Sequence, residues 1–277
     1  MRLAFTKMHG LGNDFLVMEA PTGGVLPSAA QWRQLADRHA GVGFDQALVL
    51  EAPRLAGSAA HYRVFNADGG EVEQCGNGAR CIAHYLQLHG RAGSDGSVSM
   101  DSVAGAVNAR LLADGRVSVD LGVPDFTPSA LPFTAAATEA TYTLAVAGEN
   151  VEFGALALGN PHAVLRVTSI ESAAVERIGR ALQAHPSFPR QVNVGFMQIV
   201  DATHIRLRVY ERGAGETMAC GTGACAAVAV GRNLGLLAAD VEVHVRGGRL
   251  GVHWEGPGTH IWLAGPTAVA YTGQADI

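Results

Sequence analysis

Lysine is almost absent from this chain of 277 residues: Lys7 is the only one, and arginine supplies the rest of the twenty basic residues. Pyridoxal-phosphate enzymes hold their cofactor on a lysine, so that route has one candidate residue here. Cysteine is scarce too, four in all. Four thiols in a chain this long do not make a disulfide framework, and a reducing, cytoplasmic setting is expected. There is no apolar run of about eighteen residues, so no transmembrane helix is expected. The opening "MRLAFTKMHGLGNDF" lacks an apolar h-region and a cleavage site, so no export is expected. Net charge is −5 with no basic block, which argues against nucleic acid or an anionic membrane as partner. What remains is 48% apolar, enough for a large core in one or two domains.

Three motifs occur twice, in the same order. "LGN" at Leu11–Asn13 returns at Leu158–Asn160, 147 positions on. "VGFDQ" at Val42–Gln46 returns as "VGFMQ" at Val194–Gln198, offset by 152. "RVFNADGGEVEQCGNGA" (Arg63–Ala79) returns as "RVYERGAGETMACGTGA" (Arg208–Ala224), offset by 145, with eight identities in seventeen positions. Such nearly constant offsets point to an internal duplication rather than to a solenoid, whose period is far shorter.

Two halves of similar size follow: residues 1–125 and 126–266, with the strand at 267–277 returning to the first. "AHYRVFNA", "GRVSVDLG" and "THIRLRVYE" alternate as strands. Helices are expected over Ser28–His39, Gly78–His89, Ile170–His185 and Gly223–Leu236. The Pro-, Thr- and Ala-rich stretch Val123–Thr143 reads as a linker. Strands mostly follow strands, so the class is α+β (mixed α/β) with mixed sheets.

Cys75 and Cys220 each precede Gly-x-Gly-Ala and the start of a helix. A strand-to-helix loop of this kind aims several N–H groups and the positive helix end at one spot, which suits a carboxylate. The same field lowers a thiol pKa. If the halves face each other, the two sulfurs point at one cavity from opposite sides. Two opposed acid/base groups are what a stereoinversion needs: a thiolate removes a proton from one face of a carbon and a thiol returns one to the other. Either cysteine alone reads more readily as a small core residue than as a catalyst, and Cys81 and Cys225, inside the helices, read as core. The spacings of six (Cys75/Cys81) and five (Cys220/Cys225) fit neither zinc nor thioredoxin motifs, so no metal is expected. The glycines also lack the third Gly and the acidic residue of a dinucleotide site.

"HGLGNDF", "FNADGGEVEQCGNGARC", "GNPHAV", "VNVGFMQI" and "YERGAGETMACGTGACA" together closely resemble the diaminopimelate epimerase family, from Met8 to about Ala227. Gly70 departs from it, where a small hydroxyl residue is more usual. The resemblance implies an isomerase needing no pyridoxal phosphate or other cofactor, interconverting LL- and meso-2,6-diaminopimelate on the route to lysine and peptidoglycan. It implies acid/base roles for Cys75 and Cys220, with Cys75 the donor and Cys220 the acceptor in one direction. His162 and Glu211 become auxiliaries that tune the thiols. Gly76–Asn77 and Gly221–Thr222 become the loops that hold the reacting carboxylate. Asn13, Gln46, Asn66, Asn160, Asn193, Glu211 and Arg212 become substrate contacts. The implied fold is two pseudo-symmetric domains, each a mixed, barrel-like sheet around a central helix, with the active site in the cleft between them and a homodimeric assembly.

The residues support part of this independently. A substrate with an amino-acid group at each end needs a clamp for the end that does not react: Arg212 for its carboxylate, Glu211 and the Asn amides for its ammonium. Two other readings stay open: a cofactor-free isomerase of the proline racemase type, and a non-catalytic amino-acid binder or redox sensor. A proline-type substrate has no distal amino acid for "YERG" and Asn193 to meet. A binder does not exchange the α-hydrogen with solvent.

Overall fold

In the computed structural model of the chain, residues 2–21, 23–72 and 75–277 are described; Glu73 and Gln74 of the repeated motif lie outside them. Backbone packing divides the chain into two units, Met1–Val119 with Gly265–Ile277, and Asp120–Ala264.

The first unit runs β1 (Arg2–Gly10), β2 (Asn13–Glu19), α1 (Ala29–Ala36), β3 (Gln46–Glu51), β4 (His61–Asn66), β5 (Glu71–Val72), α2 (Gly76–Leu88), β6 (Ser97–Ser102), β7 (Gly105–Leu111) and β8 (Val117–Asp120). The second runs β9 (Tyr142–Val146), β10 (Glu149–Ala157), β11 (Pro161–Arg166), α3 (Val175–Gln183), β12 (Asn193–Asp201), β13 (His204–Glu211), β14 (Gly215–Glu216), α4 (Gly221–Asn233), β15 (Asp240–Val245), β16 (Gly248–His253) and β17 (Trp262–Gly265). The last strand, β18 (Ala268–Asp276), returns to the first unit and pairs with β1.

The two sheets share one topology. In the first unit the order is β18-β1-β2-β3-β4-β6-β7-β8, with β2–β3 and β4–β6 parallel and the other neighbours antiparallel. In the second it is β9-β10-β11-β12-β13-β15-β16-β17, with β11–β12 and β13–β15 parallel. Each sheet bends around one helix. α2 touches β1, β2, β6 and β7, and α4 touches β10 to β13 and β16. Both helices are accordingly buried on nearly every side; in α4 every residue from Gly223 to Gly231 is buried. A helix apolar all round is a core element.

The outer face of each sheet carries a second core under a surface helix. Trp32 and Leu35 of α1 pack on Leu16, Met18, Ala47 and Phe65, and Ile178 and Leu182 of α3 on Val194 and Phe196. Ser28 caps α1 as expected: it accepts from the Gln31 amide while the Gln31 side chain accepts from the Ser28 amide. Such a reciprocal cap contributes about 1 kcal/mol.

Three expectations need correction. The stretch Val123–Thr143 is not a loose linker, because Leu131 and Phe133 are buried in the second unit's core, where Phe133 stacks on Phe188 at 4.6 Å. Proline, threonine and alanine make the segment read as a spacer, but two apolar side chains anchor it. α3 begins at Val175, because residues 169–174 form a turn that buries Ile170 first. The "VGFDQ"/"VGFMQ" match is out of register. Phe15 pairs with Gln46 and His162 with Asn193, so the counterpart of Gln46 is Asn193, at the same offset of 147 as "LGN". Gln198 lies farther along β12, opposite Arg206.

Candidate active site

Each cysteine of the duplicated motif is a helix N-cap. α2 starts at Gly76 and α4 at Gly221, two residues earlier than the sequence suggested. Glycine is a poor helix former, but a first turn carries orphan N–H groups and costs glycine less than a helix interior does. Cys75 and Cys220 share an extended backbone, φ −143°, ψ 111° and φ −115°, ψ 112°. The first intrahelical bonds run from Ala79 to Cys75 and from Ala224 to Cys220. Gly76, Asn77, Gly221 and Thr222 therefore place their N–H groups ahead of the ladder, at the positive end of a 13-residue helix. The second glycine of each motif serves packing. A Cβ on Gly78 would lie 2.9 Å from Leu48, and one on Gly223 3.0 Å from Val209.

A matching ion pair fixes the strand before each cysteine. Arg63 grips Glu71 with two bonds of 2.7 Å, and Arg208 grips Glu216 at 2.7 and 2.8 Å. These four are identical positions of the duplicated motif, so the shared residues make a shared clamp.

Around Cys220 the groups form a chain. His162 donates through Nε2 to Asn160 Oδ1 at 2.9 Å, Asn160 Nδ2 donates to Thr222 Oγ1 at 3.4 Å, and Thr222 Oγ1 lies 3.7 Å from Cys220 Sγ. His162 is fully buried; burial, with the charge of Arg212 adding to it, lowers its pKa from 6.5 to about 3. It is a neutral imidazole. Glu211, whose carboxylate accepts from Thr217 Oγ1, faces the same sulfur. Burial first and Glu211 second push the Cys220 thiol well above its ordinary value, against the opposing pull of Thr222 and the Gly223 amide. The expected lowering of the thiol pKa is thus reversed for Cys220: the helix end is present, but desolvation and a facing carboxylate outweigh it. Cys81 and Cys225 are core, and burial raises Cys81 to about 12.

In the first unit, Cys75 Sγ accepts from the Gly78 amide at 3.4 Å. Asn77 Nδ2 donates to Asn13 Oδ1 at 3.1 Å, and Asn13 Nδ2 to Asp45 Oδ2 at 2.9 Å. Arg80, wholly buried, donates to Asn77 Oδ1 at 2.8 Å. Asp45 and Asp14 both bind Arg38, and Asp14 binds Lys7 at 2.5 Å. Gln46 donates to Asn66 at 2.9 Å across β3 and β4. Asn193, the counterpart of Gln46, is buried; it donates to Pro161 O at 3.2 Å and accepts from the Arg212 amide at 2.9 Å. The Arg212 guanidinium reaches Arg190 O at 3.3 Å.

Within each unit, then, expected residues are linked to the N-terminus of the central helix. In one, Asn13 is linked through Asn77, with Gln46 and Asn66 bonded to each other across β3 and β4. In the other, Asn160 and His162 are linked through Thr222 and Glu211 through Cys220, with Asn193 bonding the Arg212 amide. Sequence reasoning missed Asp45, Arg80 and Thr217. Each carried a signal, since all three lie inside quoted motifs and Arg80 is the one Asp, Glu, Lys or Arg in α2.

A family model described as diaminopimelate epimerase matches residues 5–127 and 154–275. The diaminopimelate epimerase of Nitrosomonas europaea is 49% identical over 277 residues, the whole of both chains. Among solved structures, a hydroxyproline epimerase from Agrobacterium vitis superposes with a TM-score of 0.70 at 17% identity, covering 99% of this chain and 92% of that one. A phenazine biosynthesis protein of the PhzF family from Bacillus anthracis gives 0.68 at 15% identity, with all of both chains covered. At those identities the likeness is one of fold, a duplicated two-domain α/β architecture. No helix among the described residues is long and apolar enough to cross a membrane. With the family model covering most of its length and a full-length relative at 49% identity, the chain belongs to the diaminopimelate epimerase family and is an isomerase.

Proposed function

We propose that this isomerase interconverts LL- and meso-2,6-diaminopimelate by a two-base mechanism that uses Cys75 and Cys220 and no pyridoxal phosphate. The observation that carries the reading is the duplicated N-cap: one cysteine in each unit, at equivalent positions, with orphan amides of a buried helix beside it.

Cys75, as thiolate, takes the α-proton from one face of the carbon. The electron pair left behind delocalises into the α-carboxylate, which the first-turn amides of Gly76, Asn77, Gly221 and Thr222 stabilise. Cys220 delivers its proton to the opposite face. The two sulfurs then hold reversed protonation states, and the reverse reaction restores them. Cys220 is suited to be the donor of the resting enzyme, because burial and Glu211 favour its thiol. That assigns the starting roles opposite to those the resemblance suggested for one direction. His162, neutral, orients Asn160 rather than supplying charge. Lys7 is unsuited to hold a cofactor, since its ammonium is bound by Asp14 and Gly43 O.

Arg212, Glu211 and the amides of Asn13, Gln46, Asn66, Asn160 and Asn193 hold the two amino-acid ends. The domains divide near residues 125 and 266, and the working form is a cytoplasmic homodimer supplying lysine and peptidoglycan synthesis. Purified, reduced protein incubated with LL-diaminopimelate should yield the meso form, read by chromatography, without added pyridoxal phosphate. Conversion of proline isomers but not of diaminopimelate would replace this substrate with the other open reading.

A further inference from the structure

The two units orient their corresponding asparagines in opposite senses. Asn13 and Asn160 are counterparts, each ending the turn of an "LGN" motif, and each bonds the second residue of its central helix, Asn77 or Thr222. Asn13 presents its carbonyl oxygen to that helix residue, whereas Asn160 presents its amide nitrogen.

Charge at both ends of the chain dictates the sense in the first unit. Arg80 can only donate, so it must meet Asn77 Oδ1, and Asn77 must offer Nδ2 to Asn13. Asp45 as a carboxylate only accepts, so it must meet Asn13 Nδ2. Flipping either amide would set donor against donor or acceptor against acceptor. Neither charge has a counterpart in the second unit, where the equivalent positions at offsets of 147 and 145 are Val192 and Cys225. There the sense follows from His162, which donates to Asn160 Oδ1.

We propose that Asp45 is a positioning residue for substrate binding: with Arg80 at the far end of the chain, it locks Asn13 so that the first unit offers the substrate an amide of opposite polarity to that of Asn160. Asn13 has two amide hydrogens and two carbonyl lone pairs. After its bonds to Asp45 and Asn77, one of each remains, and both have fixed directions. A ligand with an ammonium and a carboxylate on one carbon needs that distinction, because a freely turning amide matches either group at either place. The inference rests on the proposed role of Asn13 as a substrate contact. Asp45 touches no reacting atom and acts through Asn13.

The test is a double-mutant cycle on KM for LL-diaminopimelate, with Asn13→Ala, Asp45→Ala and the pair. Asp45 is partly exposed, so the fold is expected to survive, and Asp45→Asn provides a milder second variant. Asp45→Ala should raise KM roughly ten-fold, as loss of one charge-assisted bond allows, with kcat within about three-fold. Asp45→Asn, which keeps an acceptor but adds a donor, should fall between. In the Asn13→Ala background, removing Asp45 should change KM no further. Multiplying effects in the pair, or a fall in kcat with KM unchanged, would overturn the assignment while leaving Asn13 a substrate contact. An unchanged KM for Asn13→Ala would remove Asn13 from the binding site, and the inference with it.

Discussion

The burial of His162 makes the protein's acid stability measurable through one side chain. The imidazole ionises at 6.5 when unfolded but only near 3 when folded. A depressed histidine works in one direction: below 6.5 the unfolded chain binds a proton that the folded chain refuses, so stability falls as pH falls. Between pH 7 and pH 5 the unfolded value is passed by about one and a half units, and at about 1.4 kcal/mol per unit the loss is about 2 kcal/mol. Carboxylates held low, such as Asp14 and Asp101, begin to cost stability only below their unfolded value of 3.8. Partly buried His84 is also lowered and titrates in the same window, so a difference measurement is required. Urea unfolding of wild type and His162→Gln at pH 7 and pH 5 supplies it. Wild type should lose roughly 2 kcal/mol more than the variant over that interval. Equal losses, within about 0.5 kcal/mol, would mean that His162 is not held neutral by burial, and its orienting role on Asn160 would need another basis.

Three further outcomes are expected. Cys75→Ala and Cys220→Ala should each abolish epimerisation while leaving the thermal transition in place; more than a few per cent of wild-type turnover in either would contradict a two-base reaction. Arg212→Ala should weaken substrate binding by roughly 1.5–3 kcal/mol, read as a rise in KM, as removal of a charged hydrogen-bonding partner does; unchanged affinity would take Arg212 out of the clamp. Alkali should destabilise through the buried thiols. Cys220 and Cys81 are raised when folded, so the stability they carry is complete below the unfolded value of 9.0 and is lost as pH rises past it. Cys81→Ala should flatten the decline in urea midpoint between about pH 8 and pH 10, and an unchanged slope would contradict a neutral Cys81.

The duplication was legible because it left identical residues at a fixed offset, and the fold gives those residues the same work. Arg63 and Arg208 grip Glu71 and Glu216, and Cys75 and Cys220 cap equivalent helices. The "VGFDQ"/"VGFMQ" pair misled because four of five letters matched while strand register placed them elsewhere, with Gln46 opposite Phe15 and Gln198 opposite Arg206. Register depends on partners many positions away, which a local match does not record. The helix starts were misplaced because propensity ranks glycine low, yet a first turn tolerates it. Asp45 and Arg80 went unread for the same non-local reason, since their roles exist only once folding brings Asn13 and Asn77 between them. The raised thiol of Cys220 needed burial and Glu211 together, and neither is visible in a Cys-Gly-x-Gly phrase.

The central claim is that two groups, one from each unit, serve opposite faces of one carbon. Its most direct test is the time course of deuterium uptake when LL-diaminopimelate is converted in heavy water. Two opposed sulfurs predict meso product carrying solvent deuterium at the inverted carbon while the remaining LL substrate is still unlabelled at early times. Label entering both isomers at the same rate from the start, or meso product that keeps the original hydrogen, would show that a single group works both faces.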